Sequence, residues 1–156
     1  MYLAMKSLHI LAVVLFLGNI ITGLFWKAHA DRTGDPRIMA HTLDGIIRSD
    51  RWFTMPGVTL IVIFGLGAAG VGHFPILHTS WIWQSIILIT ISGVAFMFQV
   101  APLQKQLRAV AQAAIPGGKL DESTYRQLSR RWEIWGSVAT LTPLAAMVLM
   151  VLKPGG

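Results

Sequence analysis

The sequence predicts an all-α integral membrane protein, a four-helix bundle, and three observations carry that reading. Only 13% of the 156 residues are charged, about half the density of a soluble domain. Hydrophobic residues make up 54% and the mean hydropathy is +0.60, which leaves too little polar surface to clothe a soluble globule. The few charges are also grouped, so that three long stretches carry none. This composition excludes an intrinsically disordered chain. Cysteine is absent, which excludes disulfide scaffolds, zinc–thiolate sites, iron–sulfur clusters and cysteine nucleophiles.

The elements follow in order. Twenty uncharged residues lie between Lys6 and Lys27, and a spanning helix needs about 20 apolar residues. The first span is placed at 8–26. Ala28-His29-Ala30 behind it resembles a signal-peptide cleavage site, but cleavage would leave Arg32, Arg37, Arg48 and Arg51 in an outer segment, so the helix is read as retained. Thr33-Gly34-Asp35-Pro36 is a turn, with Asp35 as N-cap and Pro36 at the first helical position. Ile38, Met39, Leu43, Ile46 and Ile47 then recur at helical spacing into the next span. Between Arg51 and Lys105 lie 53 uncharged residues, enough for two spans, 52–71 and 80–101, broken at Gly72-His73-Phe74-Pro75. The third helix is expected to continue through Gln104–Ala114 to a break at Pro116-Gly117-Gly118. Asp121 or Ser123 then caps a helix leading into the fourth span, 132–152, over the 19 uncharged residues between Glu133 and Lys153. The whole chain, 1–156, reads as one four-span domain.

Orientation follows from Lys and Arg. The two long connections hold Lys27, Arg32, Arg37, Arg48, Arg51, Lys105, Arg108, Lys119, Arg126, Arg130 and Arg131, and the other face holds Lys6 and Lys153. Both connections are therefore expected in the cytoplasm as long helical hairpin extensions, with both termini outside. All six tryptophans, Trp26, Trp52, Trp81, Trp83, Trp132 and Trp135, fall near predicted span ends, as interfacial indoles do. The net charge of +6 reads as topology and attraction to anionic lipid, with no nucleic-acid partner. Ser49-Asp50-Arg51-Trp52 and Ser129-Arg130-Arg131-Trp132 hint at a two-plus-two repeat.

Apart from Glu133 at the very edge of the fourth, no Asp, Glu, Lys or Arg lies inside a predicted span, which argues against an ordinary proton pump or ion-coupled transporter. Of the intramembrane polar residues, among them Asn19, Thr54, Gln84, Ser92 and Gln99, His9 stands out. An imidazole in an apolar bundle is costly to charge, and a neutral imidazole is an axial ligand for haem iron or a ligand for copper. The plainer alternative is a hydrogen bond from His9 to Gln84, Ser85 or a backbone carbonyl. A second ligand at the same depth would come from His73, His78, Met147 or Met150, against the plain readings of solvated loop histidines and methionine filler. His29, His41, Asp44 and Asp50 belong to the opposite face and read as solvated charges on amphipathic helices.

Several stretches carry a family resemblance. Met1-Tyr2-Leu3-Ala4-Met5-Lys6-Ser7-Leu8-His9-Ile10-Leu11-Ala12-Val13-Val14, followed by Gly18, resembles the start of a bacterial predicted integral membrane protein family, domain of unknown function 2269. The resemblance continues through Ala28-His29, Gly34-Asp35-Pro36, Asp50-Arg51-Trp52-Phe53-Thr54-Met55-Pro56-Gly57, Tyr125-Arg126, Arg131-Trp132 and Lys153-Pro154. It implies the architecture and a multi-pass place in the bacterial inner membrane. The Lys6-x-x-His9-Ile10-x-x-Val13-Val14 stretch also resembles the HemJ-type protoporphyrinogen oxidases, in which the early first-helix histidine is linked to haem b, and the CopD-type domains associated with copper. His9 is the matching position.

Three functions are therefore expected to compete. The first is a cytochrome b-like, haem b-binding membrane oxidoreductase with His9 as axial ligand, exchanging electrons with a quinone or a membrane redox partner. The second is a non-catalytic membrane subunit or scaffold whose basic hairpins dock a partner. The third is a copper-handling protein using His9 with His73, His78, Met147 or Met150. A homo-oligomer is compatible with all three. The chain carries no Walker loop, no catalytic triad and no paired intramembrane carboxylates.

Overall fold

The computed structural model describes residues 1–117 and 119–154, and among these it contains helices and turns but no strand. In chain order, α1 is Tyr2–Thr33, α2 Pro36–Ser49, α3 Met55–Val71, α4 Ser80–Ala95, α5 Ala101–Ala114 and α6 Glu122–Leu152. A π-helical turn, Asp50–Thr54, joins α2 to α3, and a second, Phe96–Val100, joins α4 to α5. The result is four continuous rods of 32, 36, 35 and 31 residues. At 1.5 Å per residue each is roughly 45–55 Å long, well beyond the ~30 Å of a bilayer core. Each rod contains an 18-residue apolar window, of which only 17–28% is buried within the protein. The remainder exposes side chains such as Ile10, Leu11, Ile63, Ile87 and Leu141. Apolar exposure on this scale is a lipid-facing surface, and the chain is a multi-pass integral membrane protein.

The ends of the rods are set locally. Gly34 closes α1 in the left-handed region at φ 65°, and Asp35 caps α2 by accepting the Arg37 N–H at 2.8 Å, with Pro36 at the first turn. Asp121 caps α6 by accepting the Thr124 N–H at 3.1 Å, while Ser123 donates its hydroxyl to Asp121. The predicted Pro116-Gly117-Gly118 break follows the end of α5, and its Gly118 lies outside the described residues.

Prolines explain the two π turns. Pro56 and Pro102 each stand two residues beyond one. A proline inside a helix has no N–H for the carbonyl four residues back, and its ring crowds that carbonyl. Widening the preceding turn answers this: the Met55 N–H bonds the Asp50 carbonyl and the Ala101 N–H bonds the Phe96 carbonyl, each five residues back. Pro143 inside α6 is answered differently. It removes the helical donor of the Ala139 carbonyl, and the Ser92 hydroxyl of α4 donates to that oxygen at 2.6 Å.

Near the termini α1 packs along α3 and α4 along α6. At the other, basic end α2 packs on α5 and ties the two hairpins together. The main core lies there, with Met39, Leu43, Val100, Leu103, Leu107, Tyr125 and Trp132 buried together. Trp26, Trp52, Trp83 and Trp135 are exposed as interfacial residues should be, but Trp81 and Trp132 are core residues, 7% and 3% exposed. The two Ser-x-x-Trp stretches also diverge. Trp52 is exposed and Ser49 bonds its own helix, whereas Ser129 and Trp132 are buried.

Candidate functional site

His9 sits between α1 and α3. Its Nδ1 lies 2.9 Å from the Ile61 carbonyl oxygen. A carbonyl only accepts, so Nδ1 carries a proton, and in the neutral ring Nε2 then keeps its lone pair. Gly65, one turn beyond Ile61, makes room for the ring: a Cβ there would stand 2.9 Å from the imidazole Cε1. Of the alternatives open in the sequence, the backbone carbonyl is the one the fold provides.

The other predicted ligands are distributed around the same end of the bundle. Met150 packs beside Ala69, Trp81 and Ile82, and Met147 is exposed on α6. His73 and His78 are exposed in the connection between α3 and α4, His73 with φ 55°. Among the described residues no three His, Asp or Glu side chains converge to hold a metal ion. The arrangement is a single oriented imidazole. Its chemistry fits one protein ligand to a haem iron, because a histidine that ligates through Nε2 has its other nitrogen donating to a carbonyl or carboxylate.

A second constellation lies at the basic end, and its centre was misjudged from sequence. Asp50, expected among the solvated charges, is only 6% exposed. Its Oδ1 accepts from Asn19 Nδ2 at 3.0 Å and from the Thr54 hydroxyl at 2.7 Å, and its Oδ2 accepts from Gln104 Nε2 at 2.9 Å. Asn19 also donates to the Thr54 hydroxyl oxygen at 2.9 Å. No cation lies within ion-pair distance of Asp50 among the described residues. The π turns assemble this group: Asp50 and Thr54 bound the first, and Gln104 follows the second by one helical turn. A cavity of about 20 Å³ beside it is lined by Asn19, Asp50, Phe96, Val100, Gln104 and Trp132, among others. That volume suits about one water molecule.

Lys27 forms the neighbouring group. It is 2% exposed, donates to Asp31 and, at 2.6 Å, to the Ser129 hydroxyl, and stands 4.0 Å from Glu133. Its ammonium lies over the Tyr125 and Trp132 rings, 5.6 and 5.1 Å from their centroids. The Tyr125 hydroxyl donates to Asp31 at 2.7 Å, and Ser129 donates to Glu133 at 2.9 Å. The indole N–H of Trp132 is buried without a partner among the described residues. One tryptophan thus stands beside both buried groups: it lies under Lys27 and lines the cavity that Asp50 also lines.

Sequence reasoning missed both groups because Lys27 and Asp50 stand at predicted span ends, where solvation is the default. The available signal was Asn19, an amide deep in an apolar span that must find a polar partner, with Asp50 one of the acidic side chains within reach of the adjoining helix.

The chain matches a model described as a predicted integral membrane protein family over residues 3–154. Neither the comparison with curated proteins nor that with solved structures gives a match. With four membrane-capable helices and a match running almost end to end, the chain belongs to the predicted integral membrane protein family DUF2269, domain of unknown function 2269.

Proposed function

We propose that this protein is a haem b-binding redox protein of the bacterial inner membrane, with His9 as the axial ligand. The observation that carries the reading is the bond from His9 Nδ1 to the Ile61 carbonyl. It fixes the tautomer, orients the ring and leaves Nε2 as the donor a haem iron requires. The resemblance of the Lys6–Val14 stretch to the HemJ-type proteins supports the same residue. Haem would supply one-electron chemistry. The chain's own part is to hold and orient one imidazole in an apolar setting, where Gly65 gives it space. The distribution of Lys and Arg supports a cytoplasmic basic end and outer termini, which puts His9 in the outer leaflet, open to a quinone or a membrane redox partner.

The test is a reduced-minus-oxidised absorption spectrum of the protein purified in mild detergent after growth with added haem precursor. Soret and α bands are expected, lost in His9→Ala. In Gly65→Ala, where the new methyl displaces the ring, the bands are expected to shift or weaken. A folded wild-type protein that shows no bands, even after reconstitution with haem, overturns the reading. Metal analysis of the same preparation reads the copper alternative.

A non-catalytic membrane subunit is the second reading, favoured by the side-chain locks that brace the basic end. It predicts that His9→Ala keeps the cellular phenotype and that removing 104–127 abolishes it.

A further inference from the structure

A cleft of about 360 Å³ opens at the basic end, lined by Asp44, Ile47, Arg48, Arg51, Trp52 and Arg108. Its volume lies within the roughly 300–1,000 Å³ of small-molecule sites. Three guanidiniums face one carboxylate. Asp44 is fully used: its Oδ2 meets Arg48 Nε at 2.8 Å and its Oδ1 meets Arg108 Nη1 at 2.9 Å. Arg48 and Arg108 are not, because each presents five N–H donors in a planar fork and commits one nitrogen to Asp44. Arg51 is exposed and has no ion pair among the described residues.

We propose that this cleft binds a phosphate-bearing anion, and that its occupant is the headgroup of an anionic phospholipid. Arginine forks match phosphate oxygens two at a time, and the cleft has two cationic groups more than Asp44 can neutralise. Position favours a lipid as the source. Trp52, 74% exposed, forms part of the wall, and the apolar stretch of α3 begins just beyond it. The cleft therefore stands where the basic extension meets the lipid-facing surface, at the depth of headgroups. Arg108 comes from the second hairpin and Arg48 and Arg51 from the first, so a bound headgroup would bridge the two.

The full-length protein is to be compared in nanodiscs of phosphatidylcholine alone, with one third phosphatidylglycerol, and with millimolar inorganic phosphate added to phosphatidylcholine. Thermal unfolding and retention of lipid by native mass spectrometry are the readouts. Phosphatidylglycerol is expected to raise the Tm by several degrees and to be retained. Arg51→Gln, which breaks no ion pair, is expected to weaken retention about five-fold. Asp44→Asn, which frees two guanidiniums, is expected to strengthen it. Arg126→Gln, at the distant tip where Arg126 pairs with Glu122, is expected to change nothing. Equal losses in Arg51→Gln and Arg126→Gln would mean diffuse surface charge and overturn the site. Stabilisation by inorganic phosphate alone, dependent on Arg51, would keep the phosphate chemistry and overturn the lipid as its source.

Discussion

In the half of the bundle that carries the termini, polar side chains that cross between helices end on backbone carbonyls: His9 on Ile61, Ser85 on Ala146 and Ser92 on Ala139. In the basic half they end on other side chains: Asp50 with Gln104, Asp44 with Arg108, Lys27 with Ser129 and Asp31 with Tyr125. The difference bears on how a membrane bundle chooses its register. A carbonyl recurs at every residue, so a bond to it says little about which residue must face it. A side-chain pair exists only when both members are in place. The terminal half takes its register from shape instead, with Gly57 beneath Phe16, where a Cβ would come within 3.2 Å of the Phe16 Cβ, and Gly65 beneath His9. The basic half takes it from charge and hydrogen bonding, and there the two hairpins are tied.

The largest expected effect breaks the tie itself. Lys27→Met keeps the length of the side chain and removes its charge, leaving Asp31 and Ser129 without their common donor and Glu133 without its neighbouring cation. Removing one member of a buried charged group costs about 3–5 kcal/mol. The lower end applies here, because Asp31 and Glu133 keep some exposure, 25% and 62%. Unfolding in detergent by SDS titration measures it. A loss below about 1 kcal/mol, the level of a surface pair, would show that the basic half is not held by its charges and would erase the comparison.

Ser92→Ala is the corresponding change in the terminal half. It leaves the Ala139 carbonyl, already deprived of its helical donor by Pro143, unpaired inside the bundle, and an unsatisfied buried group costs about 1–3 kcal/mol. The double substitution Ser92→Ala with Pro143→Ala restores a helical N–H to that oxygen and is expected to recover most of the loss. If it recovers none, the serine acts by packing, and the carbonyl account of this half fails.

The architecture was legible because it depends on quantities that a sequence displays directly: where charges stop, how long they stay absent, and which residues end a helix. Asp35-Pro36 and Asp121 show their caps in the residue types themselves. The inward turn of Asp50 did not show. A carboxylate at the edge of an apolar run is solvated or buried according to which helix passes it, and here Asn19 and Gln104, 31 and 54 residues away, decide the matter. Trp132 misled for the same reason: its position along the span matches Trp52, but α5 packs over one and lipid faces the other. His9 was visible as an anomaly, a lone imidazole among aliphatics, although its bond to Ile61 depends on α3 bringing that carbonyl alongside.

The smallest effect tests whether a purely local device is independent of either half. Asp35 caps α2 through the Arg37 N–H at 2.8 Å and makes no ion pair with the other hairpin among the described residues. Losing an N-cap acceptor costs about 1 kcal/mol, so Asp35→Ala is expected to lower stability by that amount. It shares no partner with Lys27, and changes at separate sites add within about 0.5 kcal/mol. The double substitution with Lys27→Met should therefore cost the sum of the two. A smaller combined cost would mean that Lys27→Met had already released the end of α1 and the start of α2. The tie between hairpins would then also set the turn that joins these helices, and the boundary of the basic half would have to be drawn beyond Asp35 rather than at the core.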